Sequence, residues 1–123
     1  MNAVLFPKSI ETKDPLKESP KNLMKWNNIY LNVEQKRAVV SILRAEGRPT
    51  PFIIFGPPGT GKTVTIVEAI LQVYKQIKDS HIIACTALNT SADLLAELLL
   101  ESKEIPESDL IRLTAKYRLF SQL

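Results

Sequence analysis

Cysteine and histidine are almost missing from this sequence, which holds one of each, Cys85 and His81. A disulfide framework and a cysteine-rich metal site are thereby excluded. Cys85 falls in an apolar stretch that reads as a buried strand, so it is expected to be a structural thiol. His81, at the mouth of that stretch, is expected to be structural or solvated. No apolar run approaches the roughly 20 residues of a membrane span. Residues 1–7 form an apolar patch without a basic leader and a long apolar continuation, so no secretory signal is read. An intracellular, cytoplasmic protein is expected. Charge is not one-sided: a net +3 and a pI near 9.1 suit a nucleic-acid partner but equally suit none. The 123 residues bound the chain to one domain at most. A hydrophobic content of 45% with 24% charged residues excludes a largely disordered chain.

Glycine is also scarce, but three of the four fall in one stretch, Gly56-Pro57-Pro58-Gly59-Thr60-Gly61-Lys62-Thr63. This fits GxxxxGK[ST], the phosphate-binding P-loop. Residues 51–55 before it read as a short buried strand, and 64 to about 78 as a helix beginning at or near Lys62. That is the strand, loop and helix context the motif requires. Glycines let the backbone curl close to an anion, turning consecutive N–H groups inward. The helix start adds its unpaired N–H groups and the positive end of its dipole. Lys62 is expected to reach the β- and γ-phosphates and Thr63 to ligate Mg²⁺, with Pro57 and Pro58 stiffening the loop. Thr60 and Val64 complete the expected nucleotide-binding set.

Residues 1–30 carry interspersed lysines and acids broken by prolines and read as a linker or extension. Trp26 and Tyr30 are expected to dock on the domain, with base stacking as the other use of such rings. Asn32 as N-cap and Gly47 as C′ residue bracket a helix from about 33 to 46 whose apolar stripe is Ala38, Val39, Ile42 and Leu43. Gln35 sits on the first turn of that buried face. A carboxamide both donates and accepts, so it can pair with the N6 and N7 edge of adenine, or simply with water or backbone at a helix end. The helix after the P-loop has an apolar arc of Ile66, Val67, Ile70, Val73, Tyr74 and Ile77, widened by Val64 and Leu71, which implies cover on two sides. Residues 81–85 read as a second strand, parallel to the first through a right-handed crossover. A polar turn, 86–91, follows at the carboxyl end of that strand, where open α/β sheets bind ligands. Its groups can hold a phosphate, or Thr90 with Asp93 can cap a helix from about 92 to 102 with Leu94, Leu95, Leu98 and Leu99 buried. Residues 110–114 read as a third strand.

Together these residues resemble the start of the motor core of superfamily 1 RNA helicases of the up-frameshift-like group. Within it they look like the Armitage and Moloney-leukaemia-virus-10-like RNA-silencing helicases. The likeness runs from Leu5-Phe6-Pro7 through Leu31-Asn32, Glu34-Gln35 and Ala38-Val39, then residues 51–70 including the P-loop. It continues in Cys85, Asn89, residues 92–95, Arg112-Leu113, Ala115 and Arg118. The resemblance implies an α/β P-loop NTPase, a RecA-like core piece of about three parallel strands with flanking helices. It places the motor part at 31–118 and a truncated end at 119–123. It implies that Gln35 reads adenine, that Lys62 and Thr63 serve the triphosphate and Mg²⁺, and that Asn89 and Thr90 touch single-stranded RNA. Where the family has Pro-Ser before the asparagine, this chain has Ala87-Leu88, which removes a hydroxyl from that contact.

Nothing here resembles the family's Asp-Glu pair for Mg²⁺ and water, its later glutamine sensor, or its second motor domain with arginines. The expectation is therefore an ATP-binding piece of an ATP-dependent RNA helicase that turns nothing over by itself. Cytoplasm or ribonucleoprotein granules are its expected location and RNA-silencing proteins its expected partners. The competing expectation is a nonenzymatic RNA- or partner-binding module. A small P-loop kinase would need an acceptor site and a basic lid, and neither is read here.

Overall fold

The computed structural model describes residues 24–114. The expectations at 5–7 and 115–123 lie outside them. Three α-helices follow one another: α1 (Val33–Leu43), α2 (Lys62–Gln76) and α3 (Asn89–Glu101), with a 3₁₀ turn at Glu107–Asp109. The P-loop helix α2 is central, packing α1 on one side and α3 on another.

Helix α1 starts through a reciprocal cap. Gln35 N–H donates to Asn32 Oδ1 at 2.8 Å, and Asn32 N–H donates to Gln35 Oε1 at 2.9 Å. Two of the helix's orphan donors are thereby paired. The helix stops at Leu43, earlier than the expected 46, because Ala45 takes a left-handed φ of 52° and carries the chain into a turn before Gly47 is reached. Its buried residues are Val39, Val40 and Ser41, so the covered face is turned slightly from the expected stripe.

Helix α2 begins at Lys62, as expected, but of the predicted arc only Leu71 is among its buried positions. Thr65, Glu68, Ala69, Leu71 and Gln72 are buried, whereas Ile66 and Ile77 are exposed. Leu71 meets Leu99 of α3 and Ile105 beyond it, with Val67, Ile70, Tyr74, Leu95 and Leu110 packed around them. Of the leucines expected to be covered on α3, only Leu99 is buried, and Leu94 is exposed.

The parallel strands expected at 51–55, 81–85 and 110–114 are not formed among the described residues. Phe55 is 94% exposed, Ile83 90% and Leu113 81%. Cys85 is likewise exposed rather than a buried structural thiol. The reason is that a helix satisfies its own main chain while a strand exists only through a neighbour's ladder. These three segments have the composition of strands without the hydrogen-bonded neighbours that make a sheet.

Residues 25–28 dock as a strap across α2. The carboxylate of Glu68, 1% exposed, accepts the main-chain N–H groups of Asn27 and Asn28, each at 3.0 Å. Asn27 Nδ2 adds a longer bond of 3.4 Å to the same Oε1. Gln72 Nε2 donates to Glu68 Oε1 at 2.7 Å and to the Lys25 carbonyl at 2.9 Å. Lys75 Nζ donates to Asn27 Oδ1 at 2.7 Å and pairs with Glu104 at 2.9 Å. Trp26 is half-buried, with the Lys36 ammonium of α1 at 5.7 Å from its ring centroid. Of the two aromatics expected to dock, Trp26 packs and Tyr30 does not: Tyr30 is 89% exposed, and only its N–H is held, by Asn28 Oδ1. Main-chain donors facing a buried acceptor anchor this segment, and a ring is not needed for that.

Candidate functional site

The glycine loop feeds directly into α2. Gly61, the N-cap, has a φ of 79° and offers no side-chain cap, so the first N–H groups of α2 lack the partner that Asn32 supplies to α1. A Cβ at Gly61 would stand 2.5 Å from Gln35 Nε2, and one at Gly56 would stand 2.7 Å from Thr60 Oγ1. At Gly61 the left-handed φ is what calls for glycine, while at Gly56 an added Cβ would push the Thr60 hydroxyl out of its place in the loop. At Gly59, φ is 82° and the space is open.

Lys62 Nζ donates to the Gly56 carbonyl at 2.7 Å and to the Pro57 carbonyl at 2.8 Å. No carboxylate pairs with it among the described residues. The ammonium is thus folded back on its own loop, holding two neutral acceptors that an anion would displace with stronger charge-assisted bonds. Thr60 Oγ1 donates to the Pro57 carbonyl at 2.8 Å and Thr65 Oγ1 to the Gly61 carbonyl at 2.9 Å, which tighten the loop and the first turn. Thr63 is exposed on that turn, where a hydroxyl can meet a cation. Pro58 and Val64 are exposed beside it. A cleft of about 290 Å³ opens here, lined among others by Asn32, Gln35, Ile54, Gly56, Pro57 and Lys62. An uncapped helix start, a lysine with no anionic partner among the described residues and a glycine-built loop fit a phosphate chain. The donor set for a metal is thinner, since no group of three His, Cys, Asp or Glu is assembled among the described residues. Thr63 beside a phosphate suits Mg²⁺, which keeps most of its waters and uses few protein ligands.

Gln35 lies at this cleft with its amide already engaged. Oε1 accepts from Asn32 N–H, and Nε2 donates to the Thr60 carbonyl at 3.1 Å. Each terminal atom retains one further bond, a hydrogen on Nε2 and a lone pair on Oε1. That residual pair is what an adenine edge needs, and the bonds already made tie α1 to the loop.

Helix α3 starts at Asn89, three residues before its expected start, with Leu88 as an N-cap that makes no side-chain bond. Thr90 is therefore inside the first turn, and the expected Thr90–Asp93 capping box is not formed. Asp93 pairs instead with Arg112, whose Nε donates to Oδ1 at 3.0 Å. Sequence reasoning gave no role to Glu68, Gln72 or Arg112, although Glu68 and Arg112 lie within the stretches that carry the resemblance. Glu68 and Gln72 had a signal, since with Thr65 they make a polar stripe three and four residues apart on an otherwise apolar helix. The link of Arg112 to α3 carried no local signal, Asp93 and Asn89 lying about twenty residues away along the chain. A larger hollow of about 360 Å³ lies under the strap beside Glu68, Leu98 and Glu104. Its two carboxylates are already bonded to the strap and to Lys75. No described helix is long and apolar enough to cross a membrane.

A family model described as an AAA domain matches residues 30–122. RNA helicase Mov10l1 of Homo sapiens is 46% identical over 118 residues, covering 94% of this chain and 10% of that protein. RNA helicase Mov10l1 of Mus musculus is 44% identical over 108 residues, covering 88% of the chain and 9% of that protein. The protein described as "Probable RNA helicase armi" of Drosophila melanogaster is 44% identical over 92 residues, covering 75% and 8%. The chain thus spans about a tenth of the length of the curated relatives it matches. No solved structure matches it. With this match over most of its length, the chain belongs to the AAA-domain family, and it is similar to the Mov10 and Armitage RNA helicases.

Proposed function

We propose that the chain is the ATP-binding part of an ATP-dependent RNA helicase motor acting in RNA silencing. The observation that carries this reading is the glycine loop on an uncapped α2 with Lys62 lacking an anionic partner among the described residues. In the proposed complex the N–H groups of residues 59–63 cradle the phosphates and Lys62 leaves the Gly56 and Pro57 carbonyls for the β- and γ-oxygens. Thr63 holds Mg²⁺, which when bound neutralises phosphate charge. Gln35 reads adenine with its remaining donor and acceptor while keeping α1 fixed to the loop. Asn89 and Thr90, at the start of α3, meet the backbone of single-stranded RNA. Residues 51–55, 81–85 and 110–114, which form no ladder among the described residues, are proposed to pair as parallel strands of a RecA-like core once neighbouring segments lie beside them, a reading supported by their apolar composition and by the family match. Cytoplasmic ribonucleoprotein granules and RNA-silencing proteins are the proposed setting, on the strength of the relatives alone.

Binding without turnover is the proposed behaviour of these 123 residues. Their groups hold the ground state, but no described residue positions water or supplies an arginine to the γ-phosphate. Calorimetric titration with Mg-ATP tests the reading. Lys62→Ala should lower affinity roughly tenfold to a hundredfold, the value of a charge-assisted phosphate bond. Equal affinities for the two proteins would favour the competing reading, a nonenzymatic module whose RNA or partner binding ignores nucleotide.

A further inference from the structure

Arg112 reaches from the segment after the 3₁₀ turn to the first turn of α3. Besides the Nε bond to Asp93, its Nη2 donates to the Asn89 carbonyl at 3.1 Å and to Asn89 Oδ1 at 3.4 Å. The side chains of Arg112 and Asp93 are 25% and 30% exposed, so the pair is sheltered without being sealed. A guanidinium at a helix N-terminus sits at the wrong end of the dipole, an unfavourable placement unless a carboxylate offsets it. Asp93, on the same first turns of α3, provides that offset. What the arrangement gains is orientation. In a carboxamide the oxygen only accepts and the nitrogen only donates. A guanidinium on Asn89 Oδ1 therefore turns the Nδ2 group to the opposite side of the side chain, and the rigid fork of arginine, with Nε on Asp93 and Nη2 also on the Asn89 carbonyl, holds the guanidinium in that place.

We propose that Arg112, anchored by Asp93, is a positioning residue that locks the Asn89 carboxamide with its N–H₂ turned to the phosphate backbone of single-stranded RNA. This rests on the reading of Asn89 given above. Arg112 acts through Asn89 and makes no phosphate contact of its own.

The test is fluorescence anisotropy of a labelled single-stranded oligouridylate with the full chain across a salt series. Asn89→Ala and Arg112→Ala should each weaken binding roughly threefold to tenfold, the value of one hydrogen bond. Arg112→Ala should add nothing in the Asn89→Ala background. Arg112→Lys, which keeps the charge but loses the fork, should behave like Arg112→Ala. Asp93→Asn should also weaken binding, although removing a negative charge near RNA would by itself strengthen it. The slope of log Kd against log salt should stay unchanged in Arg112→Ala. A slope smaller by about 0.7 would mean that the guanidinium itself meets a phosphate and would overturn the proposal. Tighter binding by Asp93→Asn, full affinity in Arg112→Lys, or additive losses in the double variant would overturn it too. If Asn89→Ala binds as well as wild type, or the chain does not bind oligouridylate, the RNA reading of Asn89 falls and the proposal with it. A loss in Asn89→Ala with none in Arg112→Ala overturns the positioning role alone. Helical circular dichroism and calorimetric Mg-ADP binding equal to wild type would show that the Arg112 variants remain folded.

Discussion

Every hydrogen-bond partner of the Glu68 carboxylate among the described residues is a donor, and that makes it the position whose replacement the structure most sharply limits. Asn27 N–H, Asn28 N–H, Asn27 Nδ2 and Gln72 Nε2 converge on its two oxygens. Only an acceptor-only group fits such a site. Glu68→Gln preserves volume and shape but must present an N–H₂ to the N–H of either Asn27 or Asn28. Glu68→Ala leaves both main-chain donors and one Gln72 hydrogen without an acceptor. An unsatisfied donor costs about 1 to 3 kcal/mol, and the half-buried strap lets water meet part of the demand, so each substitution should cost about 2 to 4 kcal/mol. A domain of this size holds only about 5 to 15 kcal/mol in total. Trp26, the only tryptophan, lies on the strap and reports its release. Urea unfolding followed by Trp26 emission and by helical circular dichroism is the assay. In both variants Trp26 emission should shift to the red before denaturant is added, while much of the helical signal remains. If Glu68→Gln and Glu68→Ala both unfold within about 0.5 kcal/mol of wild type, the spread of a neutral surface substitution, with unshifted emission, the strap is not held by this carboxylate.

Gln35→Ala should weaken Mg-ATP binding about fivefold more than Mg-GTP binding, the difference a single hydrogen bond to the base provides, when both nucleotides are titrated by calorimetry. Equal losses would assign Gln35 to its bonds with Asn32 and the Thr60 carbonyl alone. Tyr74 OH donates to Asp109 Oδ2 at 2.6 Å. That bond, helped by the Ser108 hydroxyl, holds the Asp109 carboxyl below its ordinary range, and the same bond raises the Tyr74 phenol. A lowered acid stabilises the fold above its unfolded pKa and loses that contribution as pH falls through the folded value. A raised phenol stabilises below its unfolded pKa and loses the contribution as pH rises through the folded one. Tyr74→Phe should therefore lower Tm slightly between the carboxylate and phenol ranges, with the two melting curves converging in acid. A Tm gap that persists unchanged below the carboxylate range would rule out this linkage.

The P-loop motif, the start of α2 and the N-cap Asn32 were legible because each depends on residues a few positions apart, whereas the return bond of Gln35 to Asn32 was not read from the sequence. GxxxxGK[ST] fixes its own backbone, and Asn32 meets its partner three residues on. The three helices were legible for the same reason: a helix closes its hydrogen bonds within about four residues, so composition and spacing are enough to form it. Their exact edges were not, since Ala45 ended α1 and the bond from Arg112 replaced the expected cap on α3. Which face of α2 is covered was decided by tertiary structure. The apolar arc named Ile66 and Ile77, but Glu68 and Gln72 are buried because the strap brings main-chain donors and a carbonyl to them. Strand composition at 51–55, 81–85 and 110–114 was equally plain in the sequence, yet composition cannot supply a ladder. A strand's N–H and C=O groups point sideways to another segment, so whether it becomes sheet depends on what lies beside it in space.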